Sequence, residues 1–249
     1  MSDFTTWRSL VDGEEIGVIP DSEGTHQYNI DQEDEADGSF VFDFIGGLDA
    51  SIEGSPMFVS GSGVDNRVIN LDGTNDYLDL GSDSRAVLSH FTNDGVGTVA
   101  LWINPSNIND NQFIFGNADS DSEIGVELSP SEDNLNFRGW DGSGSPMWVA
   151  DGSVVIPDDD WSFVAVVVDG STAKSFVAKS DDYELSEIAS GSISGGTSSD
   201  WTFNANIGRN SRSDDRYFDG SVDLSFIDNT ARDESNLQNW VDETKQFYD

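Results

Sequence analysis

The 249-residue chain has no cysteine. Disulfides and thiolate metal sites are therefore excluded. Histidine is nearly as scarce: His26 and His90 are the only two. With no cysteine and no nucleophile-elbow pattern, a Ser-His-Asp or Cys-His site has little to draw on, so the expectation is a protein that is not an enzyme. Cations are few as well. Lysine and arginine together number 11, and only Lys174, Lys179 and Lys245 are lysines. Nothing here could neutralise a phosphate backbone, which sets nucleic acid aside. No run approaches the ~18–20 apolar residues of a membrane span, so no membrane insertion is expected. The segment Met1–Trp7 lacks the basic and apolar regions of a secretory signal.

Acid is what the chain has in excess. Forty-eight Asp and Glu give a net charge of −37. A chain this acidic could be a disordered, solvating one, but 36% hydrophobic residues, 15 of them Phe, arranged in regular strands, argue for a sizeable core. The reading that fits both facts is a protein of a hypersaline habitat. In molar salt the Debye length shrinks to about 3 Å, self-repulsion is screened, and carboxylates keep the surface hydrated. Unfolding at low salt follows as an expectation.

The pattern along the chain is that of an all-β sandwich. At its centre is Val68-Ile-Asn-Leu-Asp-Gly-Thr-Asn-Asp-Tyr-Leu-Asp-Leu-Gly81, two short strands joined by acidic turn chemistry. Ahead of it, Ser39–Phe44 reads as a core strand with Phe40, Phe42 and Phe44 on one face. After it, strands at Thr98–Pro105, Gln112–Gly116, Ile124–Leu128 and Asn134–Arg138 follow at sandwich spacing. Trp140–Trp148 reads as a Gly/Ser loop with a Trp at each end, and a loop this polar runs over the surface. Phe163–Val168 is a continuous apolar run, as in a central strand covered on both faces. One helix is expected near the C-terminus, with Ser235 and Gln238 forming a capping box and Leu237, Trp240, Val241 and Thr244 on one side. Residues 1–38 differ in character. Their apolar positions Trp7, Leu10, Val11, Ile16, Val18 and Ile19 either dock on the domain's own surface or pair with another subunit. The acidic stretch Asp31–Gly38 reads as linker.

Four of these segments together resemble the laminin-G-like, concanavalin A-like jelly rolls. The hairpin Ile69–Gly81 resembles the family's signature turn, and Thr98–Pro105 its "tvsaWvkp" strand. Trp161–Gly170 resembles the following Trp-led strand. Ile207–Asn210 with Tyr217–Leu224 resembles the closing "iGr…yFdGsiDev" pair. The resemblance covers residues 39–249 and implies a two-sheet jelly-roll sandwich with a C-terminal helix, preceded by an N-terminal arm (1–38). It also implies a structural calcium tying the opening strand to the closing one. Asp223 matches the closing pattern, Asp43 is offered by the opening strand, and Asp72 and Asp219 come from the two Asp-Gly turns. Calcium takes about 6–8 oxygen ligands, which is why acids and turn carbonyls are the residues to look at. The ordinary reading of the same acids is as turn residues and a solvated strand acid. Related jelly rolls include glycoside hydrolases with a Glu-x-Asp-x-x-Glu strand; the nearest stretch, Asp121–Glu127, does not match it.

A carbohydrate site needs aromatic platforms beside groups that bond hydroxyls. The candidates are Trp140 and Trp148, with Trp201 and Tyr217 behind them, whereas Trp102 and Trp161 read as core packing. Arg209, Arg212 and Arg216 lie among Asp214, Asp215 and Asp219, which pair with them in the simplest reading. The functional expectation is a non-catalytic virion surface protein of a haloarchaeal virus: a capsid decoration, turret or tail fibre, made in the host cytoplasm. It would be a homo-oligomer held to other virion proteins through its arm, presenting the jelly roll to host glycans or glycoproteins. The alternatives are a purely structural, particle-stabilising subunit and a glycoside hydrolase-related secreted domain, extracellular rather than on a particle.

Overall fold

The computed structural model describes residues 10–11, 14–15, 25–28, 40–41, 43, 47–60, 67–91, 95–108, 110–118, 123–129, 134–140, 146–193, 203–211 and 216–248. In chain order the first strands are β1 (Leu10–Val11), β2 (Glu14–Glu15), β3 (Thr25–Tyr28), β4 (Phe40–Val41), β5 (Ala50–Glu53) and β6 (Met57–Ser60). The central hairpin is β7 (Arg67–Asp72) and β8 (Tyr77–Asp79), followed by a short helix α1 (Ser84–Ser89) and β9 (Val96–Pro105). Then come β10 (Gln112–Ala118), β11 (Glu123–Ser129), β12 (Asn134–Trp140), β13 (Pro146–Val149) and β14 (Gly152–Ser153). The chain closes with β15 (Ser162–Asp169), β16 (Thr172–Lys179), β17 (Ser186–Ser192), β18 (Asn206–Ile207), β19 (Asp219–Asp228) and helix α2 (Glu234–Thr244).

These strands form two antiparallel sheets, with β1 and β2 paired separately. The nine-stranded sheet runs β13-β12-β11-β10-β18-β8-β5-β4 with β14 added on β12; the eight-stranded sheet runs β17-β16-β15-β9-β19-β7-β6 with β3 added on β19. Residues 25–28, ahead of the opening strand, are thus stitched to the closing strand from Thr25 opposite Asp228 to Tyr28 opposite Ser225.

Alternation explains which residues lie between the sheets. In β9, Val99, Leu101 and Ile103 face the inter-sheet core, and Val164, Val166 and Val168 do so from β15. The intervening Ala100, Trp102, Phe163, Ala165 and Val167 join a second apolar layer with Leu237, Trp240 and Val241 of α2. Both faces of these central strands are covered, which is why their sequence is apolar without interruption. At one side the sandwich closes on itself: a β-carbon on Gly191 of β17 would collide with the Val149 carbonyl oxygen of β13, so only glycine lets the two sheets meet there. At the central hairpin Gly73 has φ +68°, and a side chain there would meet the Asp219 β-carbon at 2.8 Å.

Three local expectations change. In the opening strand the inward residues are Val41 and Asp43, while Phe40 is 43% exposed. Register decides this: Val41 pairs with buried Ala50, and the Asp43 carboxylate accepts the Leu48 N–H at 2.8 Å. The cap of α2 is Asp233, whose carboxylate accepts the Asn236 N–H at 2.8 Å; Ser235 donates its hydroxyl to the same carboxylate. Of the expected Trp140–Trp148 loop, Trp140 is the last residue of β12 and Trp148 lies within the adjacent β13, Gly139 opposite Trp148 and Trp140 opposite Pro146; residues 141–145 lie outside the described residues.

Candidate binding face

A sheet in a sandwich has one face in the core and one face left over. On the eight-stranded sheet the leftover face is the one sealed by α2 and the C-terminal turn. On the nine-stranded sheet, Leu78, Ile207, Phe115 and Phe137 point into the core. Their sequence neighbours Tyr77, Asp79, Asn206 and Arg138 therefore face outward. The strand register strings these outward positions into a single row across eight strands: Phe40, Ser51, Asp79, Asn206, Gly116, Gly125, Arg138 and Val149. At about 4.8 Å per strand the row is on the order of 34 Å long. Two of the chain's exposed large apolar residues, Phe40 and Val149, mark its ends.

Beside this row lies an aromatic cluster. Glu53 and Tyr77 are cross-strand partners, and the Tyr77 and Tyr217 rings stand 6.2 Å apart, tilted by 46°. The Arg209 guanidinium sits 4.1 Å above the Tyr77 ring, a cation–π contact that fixes the ring. Partial burial raises the Tyr77 phenol above its usual range; Arg209 opposes that rise, and the carboxylates of Glu53 and Asp79 add to it. Tyr77 is therefore a neutral hydroxyl at physiological pH, able to donate and accept. Tyr217 reaches the cluster from the segment leading into β19, where Phe218 anchors the chain in the core.

Hydrogen bonds hold the polar part of the face in place. Asp79 accepts the Gly81 N–H at 2.8 Å and the Asn204 amide at 2.9 Å. Arg85 of α1 donates twice to the Asn204 oxygen, at 3.2 and 2.8 Å. Arg138 grips Asp151 with its closest contact at 2.7 Å. Asn206 donates its amide to the Asn204 carbonyl at 3.0 Å, which fixes its orientation, and its own side-chain oxygen is buried without a partner.

Of the expected sugar-contacting residues, Tyr217 is the one whose side chain is described, and it stands in this cluster. Trp140 and Trp148 have their backbones on β12 and β13 at the far end of the same sheet, but their side chains lie outside the described residues, as does Trp201 altogether. Tyr77, Glu53, Asp79 and Arg209 complete the cluster without standing among the expected sugar-contacting residues. The signal for two of them was present: once Leu78 and Leu80 are assigned inward, Tyr77 and Asp79 must face away. Glu53 joins through sheet register and Arg209 through its stacking on Tyr77 from the segment after β18, and no local pattern carries either.

The acids considered for calcium divide. Asp72 and Asp219 are brought together as cross-strand partners. Asp72 caps its own turn, accepting the N–H groups of Thr74 at 2.8 Å and Asn75 at 3.1 Å. These bonds outweigh the upward push of burial and hold its carboxyl below the usual range. Asp219 is raised, by burial first and then by the charges of Asp72 and Asp110. Asp43 and Asp223 do not join them. Asp43 closes the Gly47 turn through Leu48, and Asp223 sits opposite Trp102 on the sealed face, accepting the Tyr248 hydroxyl at 2.9 Å. Among the described residues no three acids or histidines converge as a metal site.

Comparison with solved structures returns jelly-roll modules. Domain 4 of an extracellular arabinanase from Geobacillus stearothermophilus, solved with arabinotriose, is 20% identical, with a TM-score of 0.56 over 87% of this chain and 97% of that one. The CBM40 module of a Ruminococcus gnavus sialidase, bound to α2,3-sialyllactose, is 14% identical, with a TM-score of 0.53 over 75% of this chain and 96% of that one. The binding domain of Paraclostridial Mosquitocidal Protein 1 is 16% identical, with a TM-score of 0.61; the match covers 87% of this chain and 51% of that one. No curated protein matches the chain. The family model of the concanavalin A-like lectins and glucanases matches residues 72–238. That span is well over half of the sequence and includes the central turn, both central strands and the closing strand, so the chain belongs to the concanavalin A-like lectin/glucanase superfamily.

Proposed function

We propose that this chain is a non-catalytic, glycan-binding jelly roll on the virion surface of a haloarchaeal virus, where it attaches the particle to the host envelope. The observation that carries the binding role is the outward face of the nine-stranded sheet. It combines a tilted tyrosine pair, a guanidinium stacked on one of them and a set of fixed carboxylates and amides, which is the mixture that stacks on sugar rings and bonds their hydroxyls. Support for carbohydrate as the ligand class comes from two similar modules that were solved with arabinotriose and with sialyllactose. The acidic composition supports a hypersaline setting for this reading. Attachment through the arm to other virion proteins and assembly as a homo-oligomer belong to the same proposal.

Calcium enters this reading at one place, the Asp72–Asp219 pair, where a divalent cation would relieve the repulsion between two facing carboxylates. Two carboxylates are a minority of the roughly 6–8 oxygens calcium takes, so the expected binding is weak. A calcium-dependent rise in Tm that Asp219→Asn abolishes is the expected signature.

The test of the binding role is adsorption of the purified full chain to host envelopes in molar KCl. Saturable binding lost on Tyr77→Ala with Tyr217→Ala, in protein that unfolds at the parent temperature, is the expected result. Loss on Trp140→Ala with Trp148→Ala instead would move the site to the far end of the sheet. No adsorption by folded, assembled protein would make the chain a particle-stabilising subunit.

A further inference from the structure

Resting on the homo-oligomer part of that reading, we infer that strand β6 is the self-association edge of the chain, pairing antiparallel with β6 of a second copy. β6 (Met57–Ser60) ends the eight-stranded sheet, and among the described residues it pairs on one side only, with β7. A free edge invites pairing with another chain unless charge, proline, a bulge or a covering segment blunts it. The other sheet ends are blunted. β17 carries Glu187 in an ion pair with Lys174, its ladder with β16 is bulged, and it lies against β13. β13 opens on Pro146 and shifts register on β12, and β4 is only two residues long. β6 has neither charge, proline nor bulge. Its register with β7 runs unbroken from Met57 opposite Asn70 to Ser60 opposite Arg67.

Charge points to a second copy as the occupant. Acids number 48 in 249 residues, yet Gly54–Val64, which brackets β6, holds no charged residue. Asp76, beside its start, is buried and turned onto the Ser55 N–H at 2.7 Å, and Arg67 of β7 lies over the Phe58 ring at 5.6 Å. Two copies that each carry −37 can therefore meet here without setting carboxylates against one another. The same stretch is apolar: Met57 is 63% exposed, and Phe58 and Val59 are half-buried. Because β13 and β17 close the opposite side of the sandwich, the β4 edge lies on this side too and adds the exposed Phe40. In a two-fold antiparallel pair the axis stands perpendicular to the sheet, so a residue on the axis faces its own copy. Centred on Phe58, the pairing sets Met57 of each copy opposite Val59 of the other, on one face of the joined sheet. That axis also turns both nine-stranded sheets to the same side, so the dimer presents two binding faces to one envelope and gains avidity.

The experiment is sedimentation equilibrium of the full chain in molar KCl. The expected parent is a dimer, at twice the 27.0 kDa chain mass. Met57→Glu should raise the dimer Kd on the order of 100-fold or more, because each copy then buries a carboxylate in place of a Met side chain. At so exposed a position the parent Tm should be kept. Met57→Leu should leave the dimer intact, as should Val155→Glu at a comparably exposed apolar site off this edge. Diagonal partners across such a pair lie about 7–8 Å apart, so Met57→Cys, in a chain with no other cysteine, should cross-link through a bismaleimide of that span. A dimer that survives Met57→Glu or resists the cross-linker would overturn the edge and leave homo-oligomerisation standing. A folded parent that stays monomeric would instead sink the homo-oligomer reading on which the inference rests, whatever the open face binds.

Discussion

The two outward faces of this sandwich are built by the same alternation and end in opposite chemistry. On the eight-stranded sheet the outward residues are Ala100, Trp102, Phe163, Ala165, Val167 and Phe226, and a helix with the C-terminal turn lies on them. On the nine-stranded sheet they are Ser51, Glu53, Tyr77, Asp79, Asn206 and Arg138, and among the described residues no helix packs against them. An apolar face has to be covered, because leaving several large side chains in water costs on the order of 1.5–3 kcal/mol each. A polar face with scattered aromatics can stay open at little cost. The fold thus lays its C-terminal helix on one sheet, while on the other Glu53, Tyr77, Asp79 and Arg138 stay partly exposed.

The comparison breaks most visibly at Trp240. Its ring packs edge-on against Phe226 at 5.5 Å, and it is the largest side chain α2 places on the sealed face. Trp240→Ala is expected to cost about 3–5 kcal/mol, read by denaturant unfolding in molar KCl. Tyr77→Ala on the open face should change stability by under about 1 kcal/mol while abolishing adsorption. If the two variants destabilised equally, the open face would be core and the division between the faces would fail.

Tyr248 sharpens the same contrast at smaller scale. Its ring stacks 4.2 Å from Trp102 and lies 4.6 Å from Trp161, and its hydroxyl donates to Asp223, a carboxylate 1% exposed. Tyr248→Phe keeps the stacking and removes one donor from a buried charge. The expected cost is about 1–3 kcal/mol, because the carboxylate loses a partner it cannot replace with water. An unchanged unfolding midpoint would mean that the Asp223 carboxylate does not depend on that hydroxyl.

Much of the fold was legible from local pattern. The uninterrupted run Phe163–Val168 implied two covered faces, and Trp102 with Trp161 read as packing residues, as they are. The Asp72-Gly73 turn, the closing strand and the buried side of α2 were equally visible. What failed was parity and partnership. Three alternating phenylalanines suggested that Phe40 faced inward, yet the register with Ala50 and Ser51 turns Val41 in and Phe40 out. Asp233 took the cap from Ser235 because its carboxylate reaches the Asn236 N–H and leaves the hydroxyl as a donor. Within the Trp140–Trp148 segment, the strand Pro146–Val149 was hidden because four residues give too short a pattern to announce themselves. The candidate face was hidden for a different reason. Its residues come from β5, β8, the segment around β18 and the approach to β19, and only long-range pairing makes them neighbours.

The smallest effect is expected at the rim, where the Asp72–Asp219 pair belongs to neither face and the two partners titrate in opposite senses. Asp72 lies below its ordinary value of 3.8, so it contributes stability above that pH and loses it as pH falls through the lower, folded value. Asp219 lies above 3.8, so the folded state holds its proton more tightly than the unfolded chain does. Its penalty is absent in acid, grows from about pH 3.8 upward and is complete once the pH exceeds the raised value. Asp219→Asn should therefore raise Tm at neutral pH by an amount worth well under about 1 kcal/mol, since the site is partly exposed. The gain should be larger as salt is lowered toward the unfolding range and should vanish below pH 3.8. Thermal scans of parent and variant across that pH range separate this from a packing change, because a gain that persisted in acid could not come from the carboxylate's charge.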